Sequence, residues 1–143
     1  MPLDEFKHFL EAQEPVYADV IAELTAGQKR SHWMWFIFPQ LLGLGHSEMA
    51  RRFALRSIAA ARCYAQQPEL GRRLRQCTGL VNAVSNRGVS EIFGYPDDLK
   101  FHSSLTLFAA AVPDDPLFQA ALRKFFGGRK DSQTLERLTP ASR

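Results

Sequence analysis

Ser31-His32-Trp33-Met34-Trp35-Phe36-Ile37-Phe38-Pro39-Gln40 is the stretch on which the fold turns. It holds both tryptophans and one of only four histidines of the 143-residue chain. Trp33 to Phe38 is apolar on every side and short, so neither strand alternation nor helical spacing sorts it. As a strand it would make the fold mixed. As a short buried helix or turn, closed by Pro39, it leaves the chain all-α. The flanking sequence supports the second choice.

Upstream, Leu3, Phe6, Phe9 and Leu10 follow helical spacing up to about Glu14, where Pro15 disfavours helix at the residue before it. A second helix is expected from Pro15, burying Val16 or Tyr17, Val20, Ile21 and Leu24 and stopping at Gly27. Gln13 and Glu14 therefore sit at a corner between two helices. Downstream, Ser47 caps a segment from Glu48 to about Leu55, and Ser57 caps another through Tyr64. Pro68 opens a longer helix whose apolar stripe is Leu70, Leu74, Cys77, Val81 and Val84. After a polar loop, Ser90 can cap a turn through Phe93. Pro96-Asp97-Asp98 starts a helix with Phe101, Leu105, Phe108 and Val112 on one face, unless Ser103 and Ser104 break it. Asp115-Pro116 opens a helix that Gly127-Gly128 stops, and Asp131 or Ser132 caps a last one through Leu138. No alternating strand pattern survives. The expectation is a compact multihelical, all-α single domain over residues 1–143, with the last few residues frayed.

Composition narrows the functions. The chain is 45% hydrophobic and 23% charged, ordinary for a soluble globular protein. Its longest apolar stretch is far below the ~20 residues of a membrane span. Asp4 and Glu5 close behind Met1 are unlike a signal peptide. Two cysteines, Cys63 and Cys77, make neither a metal spacing nor a disulfide framework, and a reducing cytoplasm is the expected setting. Cys77, on the apolar stripe, reads as an inert buried thiol. The first two helices are acidic, whereas residues 51 to 75 carry Arg51, Arg52, Arg56, Arg62, Arg72, Arg73 and Arg75 against Glu69. Such a block either steers an anionic partner or pairs within the fold or at a dimer contact. Internal pairing or solvation is favoured over a nucleic-acid surface.

Several catalytic signatures are absent, including a phosphate loop and a His-Glu-x-x-His pair, and the scattered histidines suggest no metal site. No cofactor is expected. Gly43-Leu44-Gly45 lacks the third glycine and the preceding strand of a dinucleotide fingerprint. Gly45-His46-Ser47-Glu48-Met49 ends in Met where a nucleophile elbow needs glycine. The Gly43-to-Ser47 loop, with Arg51 and Arg52 one turn on, is still a candidate anion cradle, weighed against an ordinary capped turn. Trp35, Phe36 and Phe38 read as core. His32 and Trp33 carry polar N–H groups and are candidates for an acid–base group and a stacking wall at a polar entrance. Phe93 to Ser104 collects acids, a lysine, a histidine and hydroxyls, although helix capping accounts for Pro96, Asp97 and Asp98.

Taken in order, five segments resemble one family: Phe9-x-x-Ala12-Gln13-Glu14-x-x-Tyr17, Lys29 to Gln40, Gly43-Leu44-Gly45-x-Ser47, Leu70-Gly71-x-Arg73-Leu74, and Ile92-Phe93-Gly94-x-Pro96-Asp97-Asp98-x-Lys100-x-x-Ser103-Ser104-x-Thr106-Leu107-Phe108. It is the bacterial domain-of-unknown-function family eighteen-ten, sometimes mislabelled calpastatin, a long disordered inhibitor unlike this aromatic-rich chain. The resemblance implies a single multihelical domain and brings no established activity. Its characteristic polar positions match Gln13, Glu14, His32, Trp33, Gln40, Asp97, Lys100, Ser103 and Ser104.

The functional expectation is a small-molecule binding or processing domain for an anionic, nucleotide-like metabolite, with one cleft lined by the motif regions. As an enzyme it would use Glu14 or Asp97 as acid/base, His32 and Lys100 as electrostatic partners, and Trp33 as a stacking wall. Gln13, Gln40, Ser47, Arg51, Ser103 and Ser104 complete the ligand-binding candidates. The alternative is a protein-interaction module in which these groups make only internal hydrogen bonds. Monomer and homodimer both stay open.

Overall fold

The computed structural model describes the backbone of residues 3–138 and side chains from Glu5 onward. The frayed end expected at the C-terminus lies outside the described residues. A 3-10 turn, Leu3–Phe6, leads into α1 (Lys7–Gln13), followed by α2 (Tyr17–Ala26), α3 (Met34–Ile37), α4 (Glu48–Arg52) and α5 (Ile58–Gln66). Then come α6 (Pro68–Asn82), α7 (Val89–Phe93), α8 (Asp97–Ala111), α9 (Pro116–Phe126) and α10 (Ser132–Leu138). The fold is all-α: among the described residues the one β-type contact is a backbone bridge between Leu41 and Leu55.

The aromatic run forms the short buried helix α3. Phe38, behind it, packs edge-on against Phe93 and Phe101, with ring centroids 5.9 and 5.0 Å away. The reason is composition: a segment apolar all round is stable only where every side is covered. The same logic makes α8 the central helix. Residues on all its faces are buried, and it packs against α5, α7, α9 and α10. Ser103 and Ser104 do not interrupt it. Ser103 Oγ is 2.9 Å from Thr134 Oγ1 of α10, so its hydroxyl is satisfied across the fold and the helix runs on.

Expected helix stops hold at Gly27 (φ +78°) and Gly127 (φ +63°), both in the left-handed conformation. The Ser47 and Ser57 hydroxyls each accept from the backbone N–H three residues on, as caps should. Three local expectations shift. α2 begins at Tyr17, with Pro15 in the preceding turn. α4 ends at Arg52 because Leu55 is drawn into extended pairing: its N–H donates to Gln40 O, and its carbonyl accepts from Leu42 N–H. Gly88, not Ser90, precedes the first turn of α7, and Glu91 takes the Gly88 N–H while Ser90 Oγ donates to Asp98.

Candidate functional site

The candidate polar residues do not gather around one cleft. Gln13 and Glu14 are bound by Arg73 of α6. The Arg73 guanidinium is almost buried, donates to Gln13 Oε1, Glu14 Oε1 and Glu69 Oε2, and lies 4.8 Å from the Tyr17 ring centroid. Gln13, itself buried, donates to the Phe36 carbonyl at 2.7 Å and to the Tyr64 hydroxyl at 3.2 Å. This corner ties α1 to α3, α5 and α6. Its sequence logic is simple: a helix break exposes polar ends, and a guanidinium presents enough donors to bind several acceptors at once.

Trp33 is fully buried, and its indole N–H donates to Glu23 Oε1 at 2.8 Å. It therefore offers no stacking face at an entrance. Glu23 also accepts from the Arg30 and Ser31 backbone N–H groups and from Ser31 Oγ. Burial alone would raise its carboxyl, but these hydrogen bonds outweigh burial and hold it below the usual glutamate range. His32 is exposed and has no side-chain partner among the described residues. Asp97 lies between two ammonium groups. Lys29 Nζ is 2.8 Å from Asp97 Oδ2 and donates to the Ser31 carbonyl, while Lys100 Nζ is 3.7 Å from Asp97 Oδ1 and 5.3 Å from the Trp35 ring centroid. Of the four acid–base candidates, Asp97 and Lys100 pair with each other. Glu14 is held at the Arg73 corner, and His32 follows Ser31, whose carbonyl shares the Lys29 ammonium with Asp97. Among the described residues, no three His, Cys, Asp or Glu side chains gather as a metal would require.

Among the described residues, three of the open cavities bear on the candidates. A cleft of about 330 Å³ is lined by Gln40, Lys100 and Ser103 from the sequence candidates, together with Leu99, Asp131 and Gln133. Lys100 and Asp131 oppose each other in charge, so this cleft has no strong preference for an anion. The Gly43-to-Ser47 loop leads into a capped turn. Ser47 Oγ is used by Ala50 N–H, and the Arg51 guanidinium donates to the His46 carbonyl.

The strongest positive charge lies elsewhere. A cavity of about 530 Å³ between α1 and the α4–α5 region is lined by Arg51, Arg52, Arg56 and His8, with Glu5 the one acid among the described residues. Its apolar floor includes Phe6, Phe9 and Leu55. His8 stacks on Phe53 with centroids 5.4 Å apart, and its ring Nε2 is 3.1 Å from the Arg52 carbonyl. Partial burial lowers its pKa below 6.5, with the Arg52 charge adding to the effect. The arginine block therefore divides. Arg72, Arg73 and Arg75 pair with Glu69, Glu14 and Asp115, and Arg62 donates to the Ala111 carbonyl. Arg51, Arg52 and Arg56 have no carboxylate partner among the described residues. A third cavity of about 490 Å³ adjoins the second, sharing Leu42 and Arg56 and adding Arg137.

Of the sequence candidates, Gln40, Lys100 and Ser103 line the first cleft and Arg51 the second. Gln13, Glu14, His32, Trp33, Ser47, Asp97 and Ser104 line none of these three. His8, Arg56 and Arg137 were missed as site residues, and Arg52 was named only beside the Gly43-to-Ser47 loop. The density of arginines just after Ser47 was the available signal, but only the fold separates paired from unpaired ones.

The family profile of a protein of unknown function, DUF1810, matches residues 3–138. The chain belongs to the DUF1810 family. It is also similar to the crystal structure of the conserved hypothetical protein Rv1873 from Mycobacterium tuberculosis, with 52% sequence identity and a TM-score of 0.92. That match covers 94% of this chain and 96% of the other. A search of the curated proteins found no match. The DUF1810 assignment accords with the spacing of the motif segments. It leaves the chemistry to be argued from the cavities.

Proposed function

We propose that this DUF1810 chain binds a small anionic, nucleotide-like metabolite in the cavity rimmed by Arg51, Arg52 and Arg56. The observation that carries this is the division of the arginine block: three arginines without carboxylate partners converge on one open cavity with an aromatic and aliphatic floor. Guanidinium groups suit phosphate and carboxylate through paired N–H donors, and an apolar floor suits the body of a nucleoside. A volume of about 530 Å³ falls within the ~300–1,000 Å³ of ordinary small-molecule sites. Burial favours the neutral form of His8, so it serves there as a hydrogen-bonding group. The cytoplasm is the proposed setting, with Cys63 and Cys77 as free thiols, and among the described residues no helix is long and apolar enough to cross a membrane.

A thermal-shift screen of nucleotides and phosphorylated metabolites tests this, since a ligand at 100 times its Kd adds ~2.7 kcal/mol. The wild type should shift upward with a phosphorylated ligand, and Arg52→Ala/Arg56→Ala should lose the shift while keeping its own melting point near that of the wild type. A shift retained in the double variant would refute the location, and no shift with any ligand would refute the function. A second reading, a protein-interaction module, is favoured by one observation: Tyr95 is 81% exposed, and Leu99, on the wall of the Lys100 cleft, is 54% exposed. A Tyr95→Ser variant with altered mass in light scattering, in the absence of any ligand response, would support it.

A further inference from the structure

We propose that the ligand of the arginine cavity is two-headed: a diphosphate-type bridge at Arg56 joining two planar or apolar ends, one in each adjoining cavity. This rests on the anion-binding role proposed above and goes on to name the class of ligand. The two cavities, about 530 and 490 Å³, meet along a shared wall of Leu42 and Arg56. Arg56 is the only charged residue among the described ones that lines both. Each cavity also has its own apolar surface, Phe6, Phe9 and Leu55 in one and Leu41, Ile58 and Leu138 in the other. A ligand with one apolar body would use only one of them. A central anion with two apolar arms matches the order found along the groove: apolar floor, cation, apolar floor.

The far end has its own cation. The Arg137 guanidinium lies against Gly43, occupying the space that a Cβ there would take. Gly43 also has φ +101°, a conformation that residues with a side chain rarely adopt. The glycine that looked like part of a phosphate cradle instead makes room for Arg137 on the rim of the second cavity. A guanidinium so placed can cover the face of a planar ring. Along this groove, Arg51 and Arg52 then stand by one end of the ligand, Arg56 by its centre and Arg137 by the other end.

ADP and the symmetric adenosine–diphosphate–adenosine dinucleotide separate the possibilities, because both carry a diphosphate and only the second has two heads. ADP has the greater negative charge, so tighter binding of the dinucleotide cannot come from charge. By calorimetry the dinucleotide should bind at least ~10-fold more tightly than ADP, the second head binding as a tethered group. Arg137→Ala should bring the ratio of the two Kd values close to one. Ala59→Trp, at an exposed position that lines the second cavity, should do the same by filling it. If ADP binds in an Arg52-dependent way but the dinucleotide gains nothing, or neither variant alters the ratio, the two-headed ligand is refuted and the single-cavity site stands. If neither nucleotide binds while another phosphorylated metabolite shifts the melting point, the two-headed ligand is refuted and the single-cavity site stands; if binding ignores Arg52→Ala, both proposals fall.

Discussion

Replacing Glu23 should reveal how the aromatic run is held. Glu23 Oε1 accepts from Trp33 Nε1 at 2.8 Å, from Arg30 N at 2.8 Å and from Ser31 N at 3.1 Å, while Oε2 accepts from Ser31 Oγ at 2.6 Å. In Glu23→Ala the two backbone N–H groups lie near enough to the surface to bond water instead. The Trp33 indole has no such recourse, since the side chain is fully buried. A buried donor left unsatisfied costs ~1–3 kcal/mol, and the lost charge-assisted bonds bring the expected total to ~2–3 kcal/mol. Glu23→Gln keeps an acceptor oxygen for the three N–H donors and should cost ~1 kcal/mol. Trp33→Phe deletes the indole donor, so Glu23→Ala in that background should cost ~1–2 kcal/mol less than in the wild type. Urea unfolding of the four proteins closes the cycle. A coupling below ~0.5 kcal/mol would refute the indole bond as the anchor.

The same carboxylate sets a pH signature. Its native pKa lies below the ordinary value of 4.5, so the unfolded chain takes up its proton first as the solution is acidified. The stabilisation is complete above that ordinary value and is lost as the pH falls through the lower native one. Glu23→Gln should flatten this part of a stability–pH curve.

Other perturbations follow from the same contacts. Burial pushes the Cys77 thiol up to about 12, so a thiol reagent at neutral pH should label half-buried Cys63 readily and Cys77 only on unfolding. Equal labelling rates in native protein would contradict its burial. Gly43→Ala should destabilise by ~1–2 kcal/mol in urea unfolding, through a positive φ and the displaced Arg137 guanidinium. Asp131→Ala removes the acceptor of Thr134 N–H and Oγ–H at the start of α10 and should cost ~1–2 kcal/mol, with faster amide exchange confined to α10. Uniform loss of protection would instead make Asp131 part of the global core.

Much of the fold was legible because its signals are local. Ser47 and Ser57 cap, Gly27 and Gly127 stop, and Leu70, Leu74, Cys77 and Val81 form a buried stripe, each for reasons contained within a few neighbouring residues. Failures arose where a distant partner outweighed a local preference. Ser103-Ser104 reads as a break until Thr134, on a helix far along the chain, satisfies the Ser103 hydroxyl. Leu55 reads as a helix end until the backbone around Leu41 pairs with it.

The candidate site was less legible for the same reason. His32, Trp33 and Glu14 have side chains suited to catalysis, but a side chain's type does not say whether a partner already occupies it. Arg73 finds Glu14 and Gln13 on another helix, Lys29 finds Asp97, and Trp33 finds Glu23. By itself the sequence determined an all-α domain and the membership of its family, since helical periodicity, caps and motif order are written in neighbouring residues. Only the tertiary structure decided which arginines are paired and which are left facing a cavity. Arg72 and Arg56 carry the same charge, and the difference between them is what the folded chain brings alongside.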